Sequence, residues 1–241
     1  MKTVAIIQAR MGSTRLPGKI LNDLGGRPML SHVVERTSRA KHLDGVVVAT
    51  TLLGPDDVVA EYCRRSKIPC FRGEEADVLD RYYQTAKFFG IKTIARITAD
   101  CPFIEPVIVD KMLEIFQSDL YDYVSNTIAP RTFPRGLDAE VFSFSALEKA
   151  WKNDKNPAWR EHVTPFLYHH PELFKAFVFK NDQDLSDMRW TVDTAEDFEF
   201  AKKLYAAIGH NRFLWTDILR LLQKNPDWPR INQNVEQKRA V

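Results

Sequence analysis

The sequence predicts an α/β protein: three layers, with a mostly parallel mixed sheet and helices on both faces. Three observations carry this. A continuous apolar run at residues 4–7, the mark of a strand buried on both faces, is followed by two further strand-like stretches at 45–51 and 92–98. Helical apolar spacing fills the stretches between them. Parallel strands need crossover connections, and helices of this length supply them.

Each element follows in order. After the first run, "PMLSHVVERTSRA" places Leu30, Val33, Val34 and Thr37 at helical spacing, with Pro28 suited to a first turn. "GVVVATT" is the second strand. "PDDVVAEYCRRS" reads as a helix, acidic in its first turn and closing on Arg64 and Arg65. "IPCF" is a short strand, "DVLDRYYQTAKFFG" a helix ended by Gly90, and "KTIARIT" the third clear strand. "EPVIVDKMLEIFQ" puts Ile108, Met112, Ile115 and Phe116 on one helical face.

From Tyr121 the rhythm changes. "YDYVSN" and "GLDAEVFS" read as strands around the loop "TIAPRTFPR". "ALEKAWKN" and "PAWREHVTPFLYHH" read as helices, "LFKAFVFK" and "MRWTV" as strands, and "AEDFEFAKKLYAAIG" and "FLWTDILRLLQ" as helices. We expect one domain over residues 1–224, with a substrate or dimer subregion at about 121–180 and a loose polar tail at 225–241.

The chain has 241 residues, 44% of them hydrophobic, enough for a sizeable core. A formal net charge of +2 disfavours a general nucleic-acid binder, so local basic clusters must carry any anion argument. The three cysteines, Cys63, Cys70 and Cys101, have no CxxC spacing, which argues against a disulfide framework or zinc site. Single thiols fit a reducing compartment. The N-terminal apolar run is too short for a signal peptide, and no stretch reaches the ~20 apolar residues of a membrane span. The expectation is a cytoplasmic protein without a membrane partner.

The first strand runs into "QARMGSTRLPGK". A P-loop needs four residues between its first Gly and the Gly-Lys pair, then Ser or Thr for magnesium. Here five residues separate Gly12 from Gly18, and Ile20 stands where the hydroxyl should be. No GxGxxG is present either. The loop still follows a buried strand, where such sheets place ligands, and carries Arg10, Arg15 and Lys19 with no acid before Asp23. Cations in that pattern suit a polyphosphate, and Gly12 lets backbone approach it. Spacing alone leaves this reading beside that of a solvated basic loop.

Asp100 follows "KTIARIT" and Asp193 follows "MRWTV", so two strands each deliver an acid to the ligand edge of the sheet. Two carboxylates with few other ligands suit Mg²⁺, which keeps waters and takes phosphate oxygens. Either acid read alone is equally an ordinary turn or helix-start residue. Thr194 and Asp197 form a capping-box-like pair. Arg96, on the third strand, needs a partner, supplied by a protein carboxylate or by a nucleotide. "APRTFPRGLDAE" offers Arg131, Arg135, Asp138 and Glu140 as a grip for an anionic substrate or as a surface or dimer loop. "WREHVTPF" brings Arg160, Glu161 and His162 beside an aromatic, and His169-His170 reads as surface. Cys101 is no nucleophile, because the neighbouring Asp100 raises a thiol's pKa.

"QARMGSTRLPGK" resembles the N-terminal signature of the sugar cytidylyltransferases. "RGEEADVLDRYY", "RITADCPFI", "RGLDAEVFS", "REHVTPFLY" and "RWTVDTAEDFEFAKKLY" match the spore coat polysaccharide branch in order, up to about Asn225. The resemblance implies a Rossmann-like nucleotidyltransferase fold and a Mg²⁺-dependent transfer of CMP from CTP to a sugar acid of the 2-keto-3-deoxy, nonulosonate type, releasing pyrophosphate. It implies metal ligands at Asp100 and Asp193, and catalytic roles for Arg10, Arg15, Lys19 and Asp100. Ala9, Arg10, Gly12, Ser13, Arg15, Lys19, Arg72, Asp80, Arg81 and Arg96 would border the nucleotide. Arg135, Asp138, Glu140 and His162 would border the sugar. A homodimer is expected. Two alternatives stay open: another nucleoside triphosphate with a sugar phosphate, and a nucleotide-binding protein without turnover.

Overall fold

In the computed structural model, residues 2–237 are described. One seven-stranded sheet organises them, in the order β3-β2-β1-β4-β6-β5-β7. Strands β1 (Thr3–Gln8), β2 (Gly45–Thr51), β3 (Cys70–Gly73) and β4 (Thr93–Thr98) are parallel to one another. β6 (Glu140–Ser143) runs antiparallel to both β4 and β5 (Tyr123–Ser125), and β7 (Ala176–Val178) pairs parallel with β5. The mixed α/β fold is therefore as the sequence indicates.

Helices cover both faces. α1 (Met29–Thr37), α2 (Asp57–Arg65) and α4 (Pro106–Phe116) pack with α8 (Ala195–Ile208) and α9 (Trp215–Lys224) around one apolar cluster containing Ile7, Val48, Ile97 and Trp190. α3 (Val78–Phe88), α5 (Phe144–Asn153), α6 (Pro157–His162) and α7 (Pro165–His169) pack on a second cluster containing Ile6, Tyr82, Ile94 and Phe142. Alternate residues of β1 thus enter opposite clusters, as the period of two requires. Thr194 caps α8, and its side chain and that of Asp197 complete the expected capping box.

Several expectations are corrected. The single helix over 157–170 is two short helices. Val163 at φ 72 breaks it, and Pro165 both lacks an N–H and restricts the residue before it. "MRWTV" forms no strand. Its bonds to other parts of the backbone go to the 135 loop and the Asp100 turn: Trp190 N–H to Arg135 C=O at 2.6 Å and Val192 N–H to Asp100 C=O at 2.9 Å. β3 begins at Cys70 rather than Ile68, because its register is set by Val48–Thr51. The tail is not loose up to residue 237. It makes a 3-10 turn at Trp228–Ile231 and then buries Asn232. Residues 238–241 lie outside the described part.

Candidate active site

The loop after β1 is folded by its own backbone. Gly18 sits at φ 73, a conformation glycine adopts without a Cβ penalty, and its N–H donates to Met11 C=O at 3.1 Å. The Met11 N–H donates to Asp56 at 2.6 Å, which ties the loop to the end of β2. Lys19 opens a 3-10 turn, Lys19–Leu21, and points inward. Ala9 and Gly12 line the resulting cleft of about 400 Å³, together with Arg10, Ser13, Arg15, Lys19 and Arg81. The Ser13 N–H donates to Met11 C=O at 2.8 Å, so that amide is already used within the loop.

Lys19 is 7% exposed. Its ammonium donates to Asp100 Oδ2 at 3.1 Å, Asp193 Oδ1 at 2.8 Å and Val192 C=O at 2.7 Å. Asp193 Oδ2 faces Arg15 at 3.0 Å and accepts from Arg189 at 2.9 Å. Asp100 Oδ1 accepts from Thr98 at 2.5 Å. Burial opposes charge on Lys19, but Asp100 and Asp193 outweigh it and hold the ammonium above its ordinary pKa. Burial likewise pushes Asp193 up, and Lys19, Arg15 and Arg189 more than reverse this, holding it below the usual carboxylate range. Burial foremost, then Asp100, raises the Cys101 thiol well above its ordinary value, so it stays protonated, as expected from its neighbour.

The two acids fit a hard divalent cation. They converge on one cation-sized point, now filled by the Lys19 ammonium, and both line the cleft. Among the described residues no group of three His, Cys, Asp or Glu forms a closed cage. Two carboxylates completed by water and phosphate oxygens are a donor set that suits Mg²⁺.

A second cavity, of about 800 Å³, adjoins the first. The two share Gln8, Arg15, Thr98, Asp100, His162 and Asp193 as walls. Arg135, Asp138, Glu140 and His162 all border the second cavity, with Arg131, Tyr168 and His169. Burial, and then Arg96, lowers the His162 pKa and favours neutral imidazole.

Not every expected residue is free to act, and two, Arg72 and Asp80, line neither cavity. Arg72 is spent on the carbonyls of Thr51 and Leu53 and on Asp57. Asp80 accepts from Trp151 and Gln84 beneath α3. Arg81 reaches the cleft wall but donates to Glu74 C=O at 2.6 Å. Arg10 faces Glu75 at 3.5 Å on the rim. Arg96 finds its partner within the protein, in Glu140, which also accepts from Tyr123 and from Thr164 at 2.6 Å. Glu140 is thus a buried structural acid at the floor of the second cavity. Asp138 is paired with Arg131. Arg189 and Gln8 belong to the site and went unread. Arg189 stands four residues before Asp193, within a matched motif, and that spacing was the available signal.

A basic loop after β1, two acids at the sheet's ligand edge and a neighbouring cavity define a nucleotide-binding α/β transferase. The chain belongs to the cytidylyltransferase family, whose model, described as "Cytidylyltransferase", matches residues 4–228. It is 42% identical over 240 residues to an uncharacterized protein of Methanocaldococcus jannaschii, covering 99% of this chain and 97% of that protein. It is 33% identical over 232 residues to spore coat polysaccharide biosynthesis protein SpsF of Bacillus subtilis, covering 92% and 94%. A 3-deoxy-manno-octulosonate cytidylyltransferase of Geobacter metallireducens is 32% identical over 203 residues, covering 76% of each chain. The structure of a cytidylyltransferase from Leptospira borgpetersenii superimposes with a TM-score of 0.90 at 37% identity, covering 99% of this chain and all of that one. The protein is a nucleotidyltransferase enzyme of the cytidylyltransferase kind. Among its described residues no helix is long and apolar enough to cross a membrane.

Proposed function

We propose that the protein transfers CMP from CTP to a sugar acid of the 2-keto-3-deoxy type in glycan biosynthesis, releasing pyrophosphate. One observation carries the reading: Asp100 and Asp193 stand where the basic cleft and the second cavity meet. A triphosphate on one side and an acceptor on the other would meet at those acids. The naming of the octulosonate and spore coat relatives supports the substrate class.

Arg10 and Arg15 neutralise triphosphate oxygens, and Lys19 reaches the same place from its seat between the acids. Mg²⁺ held by Asp100 and Asp193 would supply charge neutralisation at the phosphate. The remaining work is alignment. Displacement at phosphorus needs the acceptor hydroxyl and the leaving pyrophosphate in line, and preorganised charge then acts on the transition state. Arg135 has no ion pair among the described residues and borders the second cavity, so it is placed to take the acceptor carboxylate. Turnover occurs in the cytoplasm, where CTP is available, by a homodimer.

The test incubates protein with Mg²⁺, each of the four nucleoside triphosphates and a panel of sugar acids and sugar phosphates, and measures pyrophosphate. Release with CTP and a sugar acid is expected, together with the largest thermal shift for CTP. Release only with another triphosphate and a sugar phosphate would overturn the base and acceptor. Triphosphate binding without release on any acceptor would overturn the enzymatic reading of this chain.

A further inference from the structure

The C-terminal segment enters the site from beyond the family match, which ends at residue 228. Asn232 is 4% exposed. Its amide donates to Asp197 Oδ1 at 2.8 Å and to Arg189 C=O at 3.1 Å. Arg189 forks onto both Asp197 oxygens, at 2.9 and 2.8 Å, and onto Asp193 Oδ2 at 2.9 Å. Asp197 Oδ2 also accepts from the N–H groups of Asp193 and Thr194, at 3.0 and 3.2 Å. Further along, Glu236 C=O accepts from Arg15 at 3.3 Å, and the Gln237 side chain accepts from Arg189.

We propose that Asn232 is a positioning residue for Asp193, acting through Arg189 and Asp197. Asp197 is buried and saturated by donors, so it fixes both the Asp193 backbone and the Arg189 guanidinium. Arg189 in turn aims Asp193 Oδ2. Asn232 grips the two members of this pair at once: the carboxylate of one and the carbonyl of the other. Asn225, just after α9, instead turns its amide back onto Leu221 C=O of that helix at 2.9 Å and touches none of these groups. Outer groups that orient a metal-ligating carboxylate change metal affinity or turnover by about 10–100-fold when altered. The inference rests on the role proposed for Asp193.

The experiment uses the full chain with Asn232→Asp, which keeps the shape and sets a carboxylate against Asp197, and with Asn232→Ala. Asn225→Ala, seven residues earlier at the end of α9, is the control. Three quantities are read: kcat, KM for CTP, and Mn²⁺ affinity of the CTP-loaded protein by electron paramagnetic resonance. For both Asn232 variants the expected result is a kcat loss of about tenfold or more, a KM change under about threefold, and Mn²⁺ affinity weakened about tenfold. Asn225→Ala should leave kcat and Mn²⁺ affinity within twofold. Wild-type kcat and Mn²⁺ affinity in a folded Asn232 variant, with only a lower melting temperature, would overturn the proposal. Should Asn232→Asp fail to fold, Asn232→Ala decides on the same readouts. If the wild type itself releases no pyrophosphate, the function reading fails, while Mn²⁺ affinity across the variants still decides the positioning.

Discussion

Strand β4 carries charge at two places four residues apart. At Arg96 a guanidinium enters the sheet and meets Glu140 of the neighbouring strand, which Tyr123 and Thr164 close off. At Asp100, just past the strand, a carboxylate shares the Lys19 ammonium with Asp193, and both acids line the cleft. Both clusters join opposite charges under partial or full burial. The first draws its partners from the protein's own side chains, although the Arg96 Nε–H is left without one, and Arg96 keeps a raised pKa despite burial because Glu140 faces it. The second links three cations, Arg15, Lys19 and Arg189, to three carboxylates, Asp100, Asp193 and Asp197, so its charges balance too. The difference is access: the Arg96–Glu140 pair is walled in by its neighbours, whereas Arg15, Lys19, Asp100 and Asp193 all line the cleft.

The largest effect should come from the open cluster. Asp193→Asn is expected to lower turnover by on the order of 10³-fold while the protein stays folded and still binds CTP weakly, as measured by pyrophosphate release and calorimetry. Full activity in that variant would remove Asp193 from the chemistry and erase the contrast between the clusters. The closed cluster should answer in stability instead. Glu140→Gln leaves the Arg96 guanidinium buried beside a neutral amide, at a cost of about 3 kcal/mol in urea denaturation. A loss under about 1 kcal/mol would show that water reaches Arg96 from the second cavity.

Gly136 sharpens the comparison from the backbone side. It sits at φ 107, and a Cβ there would lie 2.5 Å from the Thr191 nitrogen and 2.6 Å from the Trp190 carbonyl carbon. Gly136→Ala should therefore cost about 1–3 kcal/mol and lower kcat too, because the displaced residues lead directly to Asp193. Unchanged kcat would mean that Asp193 is held by Arg189 and Asp197 alone. The smallest effect is expected at Arg72→Ala. Arg72 is turned away from the cleft, toward two carbonyls and the exposed Asp57, so stability should fall by under about 1 kcal/mol and turnover stay within twofold.

Legibility in the sequence differed between the two halves of the chain. β1 and β2 announced themselves by apolar runs, β4 by its β-branched stretch, and the loop at Gly12–Lys19 by glycines and cations with no acid in the same stretch, because residue type is a local property. Beyond Tyr121 the strands are three or four residues long, too short for periodicity to fix their ends. There "MRWTV" has strand composition but no strand, since its partners are loop backbone of the 135 loop and the Asp100 turn and not a sheet strand.

By itself the sequence determined the fold class, because it rests on residue type and on spacing within each element; it marked the basic loop after β1 and the acids Asp100 and Asp193 as candidates, which the resemblance to the cytidylyltransferases singled out. Tertiary structure decided which charges are already spent. Glu140 is consumed by Arg96, Arg72 by Asp57 and two carbonyls, and the Ser13 amide by its own loop. It also decided that Asn232, from a stretch that reads as polar tail, reaches Asp197 thirty-five residues away. Electrostatic pairing and hydrogen bonding depend on distance in space, and chain position alone does not give that distance until the sheet has set it.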